Sequence, residues 1–188
     1  MFHFLLLALL VSSTALAADY KVGDHLAVKA AHPHAGYREV SWDDLLPKDW
    51  DPMQPMKGLR LDKLKDSDPR ATEALAKLRA MWNAAPVNPA MNGAQIRIPG
   101  FIVPLEWKNS EVKEFLLVPY FGACIHVPPP PANQIIHVFS DKPYQTKSSM
   151  DAVWVNGTLE TVKSKSDMGD SGYQLKAHLV EEYKGPRN

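Results

Sequence analysis

The chain has only one cysteine, Cys124, among 188 residues. One thiol excludes an internal disulfide framework, so Cys124 is buried, metal-bound, reactive or paired with another chain. Net charge is also absent: 21 Lys and Arg balance 21 Asp and Glu. A balanced surface argues against a nucleic-acid binder and against a polybasic membrane binder. No apolar run reaches the roughly 20 residues that span a bilayer. Residues Phe4 to Val11 come nearest, and Ser12, Ser13 and Thr14 then interrupt them. There are no internal repeats and no long low-complexity tract.

The N-terminus reads as an export signal. The short apolar run is followed by Ala15-Leu16-Ala17, an A-x-A pattern, so cleavage after Ala17 and a periplasmic mature protein are expected. No cysteine lies near that position, so nothing there supports a lipid anchor. About 170 residues then remain, enough for one ordinary domain.

Residues 18–36 have no clear period and read as a loosely ordered arm. His32 and His34 lie within it. Residues 37–94 read as a helical lead-in. Ser41 and Asp44 have the capping-box spacing, which predicts a short turn ended by Pro47. Trp42, Leu45, Leu46 and Trp50 are its expected packing anchors. Asp68 as cap and Pro69 at the first helical position predict a helix through Asn83. Ala71, Ala74, Leu75, Leu78, Met81 and Trp82 form its apolar stripe, expected to cover a sheet.

From Gln95 to about residue 184 the period becomes that of strands. In QIRIPGFIVPLEW, Ile96 and Ile98 share one face. Phe101, Val103, Leu105 and Trp107 alternate in the opposite phase, which predicts a bend or bulge at Pro99-Gly100. VKEFLLVPYFG, IIHVFS, AVWVNGTLETV and YQLKAHLVEEY are four further strands. Asn156-Gly157 is an expected bulge, KSKSDMGDSG a polar hairpin loop, and His178 a solvated side chain. The expected fold is mainly β: a small five-stranded antiparallel barrel of the oligonucleotide/oligosaccharide-binding (OB) type, with a preceding amphipathic helix and an N-terminal arm.

The chemistry concentrates in CIHVPPPPANQIIH, residues 124–137. Cys124 and His126 are two apart and share a face if the chain is extended. Pro128 to Pro131 suit a polyproline helix of roughly 12 Å, after which the next strand returns with His137. One sulfur and two imidazole nitrogens suit Zn²⁺, with Cu(I) also possible, and a fourth ligand from water, Asp151 or a partner. A Cys–His nucleophile pair is a weaker alternative. The plain structural alternative is a buried cysteine, hydrogen-bonded histidines and a proline-shaped rim. Asn133 and Gln134 are expected to pin the loop by hydrogen bonds.

The segments YREVSWDDLLP, IRIPGFIVPLE, FLLVPYFGACIHVPPPPANQ and VWVNGTL resemble a bacterial envelope family, domain of unknown function 3299 (DUF3299). The resemblance spans about residues 37–183 and is most specific from Cys124 to Gln134. It implies an exported protein, soluble or lipid-anchored, associated with envelope ABC transporters and zinc homeostasis. It carries over no catalytic residue. Two functions of different class follow. One is a periplasmic zinc-binding accessory protein using Cys124, His126 and His137. The other is a metal-free interaction module that binds an envelope protein or lipid through a proline-walled face.

Overall fold

Strand-forming sequence occupies the C-terminal half, and the chain closes it into a barrel. The computed structural model describes residues 20–28, 36–54, 57 and 68–185. The expected signal, His32 and His34 lie outside them. Among the described residues the strands are β1 (Arg38–Glu39), β2 (Ala94–Pro104), β3 (Glu111–Val118), β4 (Ile136–Gln145), β5 (Ala152–Glu160) and β6 (Tyr173–Glu182). The one α-helix among the described residues, α1, spans Pro69–Asn83. No helix among these residues is long and apolar enough to cross a membrane.

The barrel runs β2-β3-β4-β6-β5 and closes through pairing of β5 with β2. The fold is thus mainly β with a closed five-stranded OB-like barrel, as expected. One detail differs: the strands are mixed rather than all antiparallel. β4 and β6 pair in parallel, with Ile136 opposite Tyr173 and Ser140 opposite Ala177. A parallel pair needs a crossover, and here the crossover is β5 itself. The two-residue β1 adds a short parallel extension beside β2.

Two apolar cores share the barrel wall. Inside lie Ile96, Ile98, Ile102, Phe115, Val138 and Leu175, among others. The lead-in seals this core with Val40, Trp42 and Leu45. Ser41 and Asp44 exchange the expected capping bonds, from Ser41 N to Asp44 Oδ2 at 2.7 Å and from Asp44 N to Ser41 Oγ at 3.3 Å. Trp42 Nε1 also donates to Pro99 O at 2.7 Å. Outside the barrel, Phe101, Val103, Leu116 and Val118 form a second core with Leu26, Ala123 and Met150. Residues 20–28 pack there: Gly23 N donates to Phe121 O, and Tyr20 meets the Phe101 ring edge-on.

This second core explains why β2 departs from the expected phase change. Its ladder with β5 is regular through Pro99-Gly100, with no inserted residue, and its ladder with β3 begins at Phe101. Ile96, Ile98 and Ile102 keep one phase and face the interior, while Phe101 and Val103 face the outer core. Both faces are covered, so apolar residues occupy consecutive positions. Gly100 is required by close approach, because a Cβ there would stand 2.7 Å from Leu117 Cγ. The bulge at Asn156-Gly157 is present, as a register shift between β5 and β6.

α1 begins as expected, with Asp68 accepting from Arg70 N at 2.9 Å and Pro69 in the first turn. Its stripe does not cover the sheet. Ala74 alone is buried, while Leu75 is 52% and Met81 42% exposed. Trp42, Leu45 and Met91 join the interior core instead.

Candidate functional site

The segment after β3 folds into a tight knot. Gly122 and Cys124 have φ of 91° and 65°, the left-handed region. That reversal aims three successive N–H groups at one acceptor: Gly122 O accepts from Ile125 at 3.3 Å, His126 at 2.8 Å and Val127 at 3.1 Å. A turn therefore replaces the extended chain that would have set Cys124 and His126 on one face. Cys124 instead packs against the outer core, and His126 is exposed. Burial pushes the Cys124 thiol up to about 12, so it is protonated at neutral pH.

The prolines leave this knot as a stiff wall. Pro131 has φ −56° and ψ 148°, close to polyproline II. Pro128 and Pro129 are exposed and Pro130 is buried. Pro129 and Ile135 crowd Gly169, where an added Cβ would meet each at 3.2 Å. The wall thus backs the loop between β5 and β6. A 3₁₀ turn, Ala132–Gln134, then enters β4. Asn133 Nδ2 donates to Pro86 O and Gln134 Nε2 to Trp42 O, both at 2.9 Å. These two side chains pin the loop to the lead-in, as expected.

His137 sits on β4, buried, with both ring nitrogens engaged. Nδ1 lies 2.8 Å from Ser164 Oγ and Nε2 lies 2.9 Å from Glu114 Oε1. Its ring centroid is 4.3 Å from that of Phe139. Asp151, the carboxylate considered as a fourth ligand, accepts from Lys147 N at 2.7 Å and Ser148 Oγ at 2.6 Å. His178 is exposed and meets the Tyr37 hydroxyl through Nδ1 at 2.8 Å. Among the described residues no group of three His, Cys, Asp or Glu side chains is placed to hold a metal ion. Cys124, His126 and His137 are therefore not gathered into one ligand set: one is packed, one faces solvent, one is hydrogen-bonded.

Sequence reasoning did not single out Glu114 or Ser164. Glu114 reads as an ordinary polar position in an alternating strand, and Ser164 as one of several serines in a polar loop. Only the closed barrel juxtaposes them with His137.

A comparison with curated proteins gives no match. Among solved structures, a DUF3299 family protein from Pseudomonas aeruginosa PAO1 is similar at 34% sequence identity and a TM-score of 0.61. The alignment covers 80% of this chain and 98% of that one. The family model described as "Protein of unknown function (DUF3299)" matches residues 42–182. That span holds the barrel, the capped lead-in and the whole cysteine–proline loop, and the chain belongs to the DUF3299 family.

Proposed function

We propose that the chain is an exported interaction module whose loop from Ala123 to Pro131 is read by a protein partner. One observation carries this reading: the loop combines a fixed backbone with outward apolar side chains. Three N–H groups converge on Gly122 O, and Asn133 and Gln134 anchor the far end. Ile125 is nonetheless 39% exposed, and Pro128 and Pro129 face solvent beside it. A preformed loop binds without the entropic cost of ordering. Exposed polyproline segments dock in aromatic-lined protein grooves. A lipid surface is recognised through several lysines and arginines, and this stretch holds His126 as its one basic group.

Metal handling through Cys124, His126 and His137 is the competing expectation. It requires the thiol to leave its packing and His137 to give up a hydrogen bond. The two readings separate in one experiment. A photo-crosslinking residue is placed at Pro129 and, separately, at Glu73 on α1, in the chain expressed in its own host. A discrete protein adduct from position 129, absent from position 73 and lost in Ile125→Asp, is the expected result. Absence of an adduct at 129, or the same adducts from both positions, overturns the reading. Stoichiometric zinc in the purified chain, lost in Cys124→Ala with His126→Ala, supports the metal role instead. N-terminal sequencing of chain recovered from the envelope fraction tests cleavage after Ala17.

A further inference from the structure

Glu114, His137 and Ser164 come from β3, from β4 and from the loop between β5 and β6. The barrel sets them in one hydrogen-bonded row, Glu114 Oε1 to Nε2 at 2.9 Å and Nδ1 to Ser164 Oγ at 2.8 Å. The chemistry of the acid gives this row a direction. An ionised carboxylate only accepts, so Glu114 holds the proton of the neutral imidazole on Nε2. Nδ1 is then a bare lone pair, and the Ser164 hydroxyl must be its donor. Hydroxyl, base and orienting acid in this order are the signature of an activated nucleophile. His137 is only 7% exposed, so water does not compete for its ring, whereas Ser164 is half-buried.

A second observation falls at the same place. Ser164 and Ser171 are antiparallel bridge partners, each N–H donating to the other's carbonyl, at 3.0 and 2.9 Å. Directly opposed residues project to the same side, with Cβ atoms about 5 Å apart. The Ser171 hydroxyl is buried and makes no hydrogen bond among the described residues. A buried hydroxyl left unpaired is costly and calls for a reason. Here it is a spare O–H donor beside Ser164. Nearby, Phe139 on the His137 ring and Val162 are exposed apolar side chains. Lys176, opposite Phe139 across the ladder, is already paired with Glu160 at 2.8 Å. Apolar side chains are thus at hand for an acyl chain, while the exposed Lys163 and Lys165 flank Ser164 in the chain.

We infer that Ser164, His137 and Glu114 form a hydrolytic site for carboxylic esters, with the Ser171 hydroxyl donating to the oxyanion. Ser164 Oγ adds to the acyl carbon while its proton passes to His137 Nδ1. The leaving alkoxide takes that proton and departs as an alcohol, leaving an acyl ester on Ser164. Water then attacks the ester, its proton passing to Nδ1 and on to Ser164 Oγ, and the carboxylic acid is released. Glu114 is a positioning residue: it holds the tautomer and stabilises the imidazolium.

The full chain is treated with a fluorophosphonate probe, the modified residue is mapped by mass spectrometry, and p-nitrophenyl acetate hydrolysis is followed in parallel. Labelling at Ser164, with hydrolysis abolished in Ser164→Ala and lowered at least about 100-fold in His137→Gln, is the expected result. Glu114→Gln should slow labelling and change its pH profile, and Glu114→Asp should restore part of the rate. The inference is overturned if wild-type chain is not labelled at Ser164, or if Ser164→Ala hydrolyses as fast as wild type. The wild-type labelling decides the matter even where a variant fails to fold.

Discussion

Native Cys124 should react slowly with a disulfide reagent, and the structure sets how slowly. At pH 8 a thiol of pKa about 12 is ionised in roughly one molecule in ten thousand. An unperturbed thiol of pKa about 8.5 is ionised in about one in four, a deficit of roughly 2,400-fold. The more basic thiolate is also the better nucleophile, which returns about 40-fold at a Brønsted slope of about 0.45. Cys124 should thus react about 60-fold more slowly in the folded chain than in the same chain unfolded, before any loss of access is counted. Because burial raises this pKa, the folded rate should climb close to tenfold per pH unit up to about pH 11. The unfolded rate should level off above about pH 9. Linkage has the same sign: the neutral thiol's contribution to stability is intact below the unfolded pKa, about 8.5, and is lost as pH rises toward about 12. The assay is release of thionitrobenzoate from Ellman's reagent, with and without urea. A folded rate within about threefold of the unfolded one at pH 8, or one flat from pH 7 to 10, would refute the buried, unactivated thiol.

Other substitutions test the frame around the loop. Gly157→Ala places a Cβ 2.2 Å from Lys176 O and 2.9 Å from Ala177 Cα, both backbone atoms. Parting β5 from β6 should cost about 3 kcal/mol, read from the urea midpoint. Asn109 and Ser110 turn the β2–β3 hairpin with φ of 51° and 64°, a geometry for which Asn-Gly is the preferred pair. Ser110→Gly should therefore stabilise by about 0.5 kcal/mol and raise Tm by about 1–2 °C, whereas Ser110→Val should lower it. Tyr173→Phe removes the donor to Leu45 O and the acceptor for Asn88 N, both at 2.6 Å. A buried carbonyl and a half-buried N–H then lose their partner, and calorimetry should register a loss of about 2 kcal/mol.

The barrel was legible because strand alternation and turn residues are local. Ser41 and Asp44, Asp68 with Pro69, and Asn156-Gly157 each declare their role within a few residues, and each takes it in the structure. Where the structure departs, the deciding contact lies far along the chain. Phe101 and Val103 look like the opposite phase of a bent strand because the outer core that covers them is built from Leu26, Ala123 and Met150. Cys124 and His126 look like neighbours on one face because no local rule predicts φ of 65° at a cysteine. The parallel β4–β6 pairing follows from barrel closure, to which no strand's own pattern refers.

Tyr173 reaches back to Leu45 and Tyr183 to Ala27, across 128 and 156 residues of chain. The last strand and the residue that follows it are therefore both a stave of the barrel and the clasp that secures its beginning. Contacts of such long range pay loop closure before they return any stability, so the rate of folding is set by topology rather than by local propensity. A chain emerging from the ribosome holds Trp42 and Leu45 ready for a core that does not exist until β6 has been made. Until then those two side chains have no core to enter.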